Sequence, residues 1–189
     1  MNNQDFVADF VAHFSGDQPT PPLLVKLAQY FAGPSGFLPG KLELTDEGEE
    51  MAVGAFAEDR AAAEHFVVFA YDRLGSAYGY WRYDDRPLDR APLVYIDSEG
   101  ADSTVVTTTL EEFLAILAIG HPRKSIFYIA GDGETQPDDD TLEYRTWLER
   151  ETSIAIPTRA EGHRIVERAR ASHPNLLEWI EQWANARTA

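Results

Sequence analysis

The sequence contains no cysteine. Disulfide bonds and thiolate metal sites are therefore excluded, and a reducing compartment is the natural environment for such a chain. The chain has 189 residues, of which 44% are hydrophobic and 12% aromatic. That length and composition are enough to bury a substantial core within one domain.

Long apolar runs are also missing. No stretch approaches the roughly 18 apolar residues of a membrane-spanning helix, and the first residues, MNNQDF, lack the basic start of a secretion signal. We therefore expect a cytoplasmic protein that does not insert into a membrane.

Basic residues are scarce. Lys and Arg number 16 against 32 Asp and Glu, which gives a formal net charge of −16. Because this charge repels phosphate backbones, a nucleic-acid partner is not expected. The charge favours a protein partner with a basic surface, although acidity that serves only solubility is an equally simple interpretation.

Recognisable catalytic and cofactor motifs are absent as well. Gly131 and Gly133 begin a dinucleotide-like pattern, but Gln136 stands where its third glycine is needed. The five histidines show neither HExxH nor another short metal-binding spacing. The run 138–140 offers carboxylates to a divalent cation, yet it lacks the alternating ligands of a calcium loop, so a solvated loop is the simpler interpretation. We therefore predict no catalytic residue, no cofactor and no metal ligand.

The centre of the chain carries the clearest secondary-structure pattern. Residues 66–71 are β-branched and aromatic, which predicts a buried strand, and residues 77–83 alternate as a second strand after a five-residue loop. Residues 93–96 and 105–106 predict two more. Since the connections are short, we expect an antiparallel meander of four or more strands, with residues 37–44 as a short strand or an extended loop.

Helices are predicted on both sides of this meander. Phe6, Phe10 and Phe14 form a helical stripe whose start Asp5 is a candidate to cap, and residues 22–31 form a second amphipathic helix. Thr109 and Glu112 have capping-box spacing and open a helix that Gly120 ends. The fold class is therefore α+β, a mainly antiparallel sheet flanked by helices.

The order of these features resembles a known family. The features, in order, are a strand end with Phe69 and Asp72, a glycine turn, an aromatic strand, a strand preceded by proline, and a capped helix reading EEFLAIL. This order is similar to that of the SUKH superfamily, also called the Smi/Knr family. The residues that carry the resemblance are Phe69, Asp72, Gly75, Gly79, Pro92, Val94, Thr109, Phe113 and Leu114. The resemblance covers residues 66–117 and implies a non-enzymatic protein-binding role, in many bacterial members that of an immunity protein against a toxin. It carries over no catalytic residue.

Residues 121–189 lie outside the family pattern, and we interpret them as a mostly helical C-terminal extension of a single domain whose core is residues 1–120. Residues 126–129 could add a strand. Asp140 with Glu143 is expected to cap one helix, and Thr158 with Glu161 the next. In the last helix, Leu177, Ile180 and Ala184 are expected to share one face.

The candidate partner-binding residues lie in two acidic segments. The first combines aromatic anchors with acids that could steer a basic partner: Trp81, Tyr83, Asp84, Asp85 and Asp89. The second is an acidic loop: Asp132, Glu134, Asp138, Asp139 and Asp140.

The leading hypothesis is a non-enzymatic immunity protein that binds and neutralises a cognate bacterial toxin. One alternative is a regulatory protein-interaction module without a toxin partner. Another is a hydrolase with an unrecognised acidic site, since 32 acids allow many carboxylate pairs.

Overall fold

The computed structural model describes residues 3–14, 19–33, 38–48, 50, 52, 60–99, 102–120 and 137–187. The predicted strand at 126–129 lies outside these residues.

A five-stranded antiparallel meander forms the centre of the protein, with the strands in chain order across the sheet. The strands are β1 (Glu43–Leu44), β2 (Phe66–Tyr71), β3 (Ala77–Trp81), β4 (Leu93–Ile96) and β5 (Thr104–Thr107). The predicted α+β class and meander are confirmed. The segment at 37–44, which the sequence left open, contributes β1.

The helices are α1 (Asn3–His13), α2 (Pro22–Phe31), α3 (Arg60–Ala63), α4 (Leu110–Ile119), α5 (Asp139–Glu151), α6 (Arg159–Ser172) and α7 (Leu176–Arg187), with short 3₁₀ turns at Pro39–Lys41 and Leu88–Arg90. No helix of the described segments is long and apolar enough to cross a membrane.

Both faces of the sheet are buried, because alternate residues of each strand enter different hydrophobic clusters. On one face, Tyr78 and Tyr80 of β3 pack with Phe69, with Phe113 of α4 and with side chains of α1, α2 and α5. On the other face, Ala77 and Trp81 belong to a second cluster. It contains Phe66, Val68, Val94, Ile96, Val105, Ala169 and Leu176, with Trp179 and Ile180 packed against it.

The C-terminal helices therefore cover a face of the sheet. Trp81 has no exposed surface, and its ring meets that of Trp179 of α7 edge-on at 5.6 Å. Of the three residues expected to share one face of α7, Ile180 packs against this cluster and Leu177 is half-buried, while the side chain of Ala184 lies outside the described part. Leu176 is buried, and Trp179 packs against the same cluster.

Gly79 in the middle of β3 is required by the close approach of β2. A Cβ at this position would lie 2.7 Å from the carbonyl oxygen of Val67 and 2.8 Å from the Cα of Val68. The pairing of β2 with β3 shifts register between Val68 and Ala70, at the same place. A bulge next to a glycine gives the pair its local bend.

Capping was predicted correctly for two helices and wrongly for two. The Thr109 side chain accepts from the backbone N–H of Glu112, whose carboxylate reaches back to the N–H of Thr108 rather than that of Thr109. Thr158 and Glu161 form the complete reciprocal box. The cap of α5, however, is Asp138 and not Asp140, and Asp5 lies inside the first turn of α1 rather than before it.

Both edges of the sheet are protected. The edge strand β1 has only two residues, which leaves little backbone for pairing with another chain. At the opposite edge α6 packs beside β5, and the Arg170 guanidinium donates to the carbonyl of Val105 at 3.4 Å.

Candidate functional site

The first candidate segment follows β3, where the chain leaves the sheet. Trp81, the last residue of the strand, was expected among the exposed anchors, and this expectation is wrong. Its side chain lies inside the second cluster, between Phe66 and Trp179. Strand alternation placed it opposite Tyr80 correctly, but α7 covers the face to which it belongs.

Tyr83 is half-buried and is part of a polar cluster, which we call the Tyr83 cluster: Tyr83, Asp84, Arg86 and His173. Arg86 donates to both carboxylate oxygens of Asp84, at 2.6 and 2.5 Å, and to the hydroxyl of Tyr83 at 2.5 Å. Its guanidinium carbon lies 4.6 Å from the centre of the Tyr83 ring. The pKa of Asp84 is lowered, chiefly by the hydrogen bond from Arg86.

His173 joins this loop to the linker between α6 and α7. Its Nδ1 lies 3.0 Å from the Tyr83 hydroxyl oxygen. That oxygen accepts from Arg86, and it can either donate its own proton to Nδ1 or accept a second hydrogen bond from Nδ1–H, depending on the histidine tautomer. Nε2 is buried and has no partner among the described residues.

The Tyr83 cluster is consequently an internal connection between the sheet and the C-terminal helices. Asp84 is exposed but held by Arg86, whereas Asp85 and Asp89 are both exposed. Of the first candidate segment, these two carboxylates are the residues most accessible to a partner.

Protonation of His173 should weaken this connection. Burial, followed by the charge of Arg86, lowers the pKa of His173, although Asp84 and Glu112 oppose the shift. A lowered folded-state pKa means that the unfolded chain binds more protons, so this contribution to stability is present above about pH 6.5 and is lost as the pH falls. We expect the urea concentration at the unfolding midpoint to be lower at pH 5.5 than at pH 7.5. This pH range lies above the titration of ordinary carboxylates.

The matched variants are His173→Gln and His163→Gln. His163 is half-buried on α6. We expect His173→Gln to reduce the difference between the two midpoints and His163→Gln to leave it unchanged. If the difference between the two urea midpoints is as large in His173→Gln as in the parent chain, another group causes the pH dependence.

The second candidate segment is only partly described, because Asp132 and Glu134 lie outside the described residues. Asp138 accepts from the backbone N–H and hydroxyl of Thr141, at 3.0 and 2.6 Å. Burial alone would raise the pKa of Asp138, but these hydrogen bonds hold it below its usual value. Asp140 forms an ion pair with Lys41, and Asp139 is exposed.

Asp138 and Asp140 thus stabilise the start of α5 and its contact with the 3₁₀ turn at Pro39–Lys41. Within the described segments, no group of three or more His, Asp or Glu side chains is placed to hold a metal ion. The carboxylates at 138–140 therefore do not converge on one point: Asp138 accepts hydrogen bonds from its own helix, and Asp140 pairs with Lys41.

Sequence reasoning did not single out Arg86, His173 or Leu74. A histidine followed by a proline signals the end of a helix, but it does not reveal a partner 90 residues away. Leu74 offered a visible signal, since a leucine in a turn has no periodic reason to be there. In the structure it is 80% exposed.

Comparisons with models of known protein families, with curated proteins and with solved structures found no match for this chain. The resemblance to the SUKH superfamily stays a prediction from the order of motifs in residues 66–117.

Proposed function

We propose that this chain is a cytoplasmic, non-enzymatic protein that binds a partner with a basic surface, and that the partner is a bacterial toxin domain which it neutralises by stoichiometric binding. The observation that carries the binding part is the excess of carboxylates. If each of the 16 basic side chains paired with a separate acid, 16 of the 32 acids would still have no basic partner within the chain.

The fold supports this proposal by keeping accessible acids at the loops of a rigid scaffold. Asp85 and Asp89 are exposed in the loop between β3 and β4, and Glu99 and Asp102 are exposed in the turn between β4 and β5. The strands that carry these loops are buried on both faces. Preorganised charge of this kind accelerates encounter with an oppositely charged protein, and the acceleration fades as salt screens it.

The toxin part of the proposal rests on the family resemblance and has a direct genetic test. The gene next to that of this chain should encode a secreted toxin, and expression of its toxic domain should arrest growth. Co-expression of this chain should restore growth. A variant with Asp85→Lys, Asp89→Lys, Glu99→Lys and Asp102→Lys together should restore it less well.

Two outcomes would remove the proposal or its toxin part. If the chain binds the toxin domain without restoring growth, neutralisation is wrong. If no toxin gene adjoins and the chain binds a regulatory protein, the interaction-module alternative replaces it.

A further inference from the structure

Two turns meet at one end of the sheet, and we call their described residues the turn end: residues 72–76 between β2 and β3, and residues 97–99 and 102–103 between β4 and β5. A Cβ at Gly75 would lie 3.9 Å from that of Ser98. The Ser76 hydroxyl oxygen accepts from the backbone N–H of Ser98 at 3.2 Å and from the Tyr95 hydroxyl at 3.0 Å. The turns are therefore joined into one surface.

Leu74 projects from this surface. Its side chain is 80% exposed, the highest value among the large hydrophobic residues of the described segments. The turn beneath it is held by the Asp72 carboxylate, which accepts from the N–H groups of Leu74 and Ser76 at 2.9 and 3.1 Å. Gly75 supplies the left-handed conformation that the turn needs, with φ of 82°. An apolar side chain on such a fixed support loses little backbone entropy when it binds.

A groove of about 430 Å³ lies beside the turn end. One wall is Asp102, Ser103 and Thr104, and the other comes from α6 and the start of α7, including Arg170 and Leu177. Tyr95 lines the groove, and its hydroxyl donates to Ser76 in the turn that carries Leu74. The turn that carries Leu74 and the groove are thus linked through Tyr95 and the turn between β4 and β5, so one partner can contact both.

The charge of the turn end is acidic. The two turns contribute Asp72, Asp97, Glu99 and Asp102 against the single base Arg73. Glu99 and Asp102 are exposed, whereas Asp97 also holds its own turn by accepting from the N–H of Asp102 at 3.2 Å. An apolar anchor with an acidic rim complements an apolar recess with a rim of Lys and Arg.

We propose that the turn end, with Leu74 as its anchor, is the main surface that docks a basic protein partner. The loop carrying Asp85 and Asp89 contributes less to this binding. The inference rests on the proposed binding function and assigns it a place. Leu74 enters an apolar recess of the partner, and basic side chains of the partner's rim meet Glu99 in the turn and Asp102 at the edge of the groove.

The test uses a random 12-residue peptide library displayed on phage and selected on the immobilised full-length chain. We expect enriched peptides that combine Lys or Arg with aromatic or aliphatic residues. Their affinity should fall at least about tenfold in Leu74→Asp, the loss typical of an anchor residue. Glu99→Lys and Asp102→Lys should each weaken binding severalfold.

The matched control is Leu142→Asp, because Leu142 on α5 is the other exposed large hydrophobic of the described segments, at 47%. It should leave peptide affinity unchanged, whereas Asp85→Lys with Asp89→Lys should weaken binding less than Glu99→Lys with Asp102→Lys. Circular dichroism establishes that each variant is folded, and Leu74→Ala provides a milder second variant at the hairpin.

The proposal is overturned if no peptide is enriched over a blank surface, or if the enriched peptides bind Leu74→Asp as well as the parent chain. It is also overturned if Leu74→Asp restores growth against the toxin domain as fully as the parent, in which case the proposed function survives and this surface does not. If peptides bind through Leu74 but no toxin is neutralised, the surface stands and the toxin assignment fails.

Discussion

A chain that ends at Pro157, and so lacks α6 and α7, is expected to show no cooperative thermal transition. The deletion uncovers a sheet face that carries Trp81, Phe66, Val68, Val94, Ile96 and Val105. Covering one large apolar side chain contributes roughly 1.5–3 kcal/mol, and a domain is stable by only about 5–15 kcal/mol in total. Loss of cover from all six of these side chains, about 9–18 kcal/mol, is as large as the whole stability of the fold.

Differential scanning calorimetry checks this expectation, with a chain ending at Arg187 as the control. The control keeps α7 complete and should unfold at the temperature of the parent. A truncated chain that retains the parent's melting temperature would show that the C-terminal helices do not belong to the folding unit.

The second large effect is expected for Trp81→Ala, which should lower the free energy of unfolding by about 3–5 kcal/mol. Trp81 is fully buried, and its ring meets Tyr83 at 4.7 Å, Trp179 at 5.6 Å and Phe66 at 6.4 Å. Removing the indole leaves a cavity at the contact between the sheet and α7. Urea denaturation followed by circular dichroism measures the loss.

Leu142→Ala is the matched control for Trp81→Ala, since it removes an apolar side chain from an exposed helix position. It should change stability by no more than about 0.5 kcal/mol. A comparably small effect of Trp81→Ala would mean that Trp81 is accessible to a partner after all, and would restore it as a binding residue.

Local patterns predicted the sheet well because their causes are local. The hairpin of residues 66–81 follows from β-branched and aromatic strands separated by a glycine turn, and the structure contains both strands and that turn. The helix bounds at Pro22–Phe31 follow from the proline before it and the Gly33 after it. Thr109 and Gly120 mark the ends of α4 through backbone hydrogen bonds within a few residues.

The candidate site was harder to predict because it depends on contacts between distant residues. Alternation shows that Trp81 and Tyr80 lie on opposite faces, but it does not show whether the second face is covered. That answer comes from Leu176 and Trp179, almost 100 residues later in the chain. Asp138 and Asp140 are alike in sequence, and only the position of Lys41 determines which of them pairs with a base.

Leu74 illustrates the opposite case. Its position in a turn was visible in the sequence, yet its meaning depends on the neighbouring turn at Ser98 and on the groove beside Tyr95. Residues that are far apart in sequence form this surface because the meander brings alternate turns to the same end of the sheet.

The most direct test of stoichiometric, charge-assisted binding is a calorimetric titration of the full chain with the inactivated toxin domain of the adjacent gene, at about 50 and 300 mM salt. We predict a 1:1 complex whose affinity falls at the higher salt concentration, because screening weakens the attraction between opposite charges. Absence of binding at both salt concentrations, or an affinity that does not change with salt, would contradict charge-assisted stoichiometric binding.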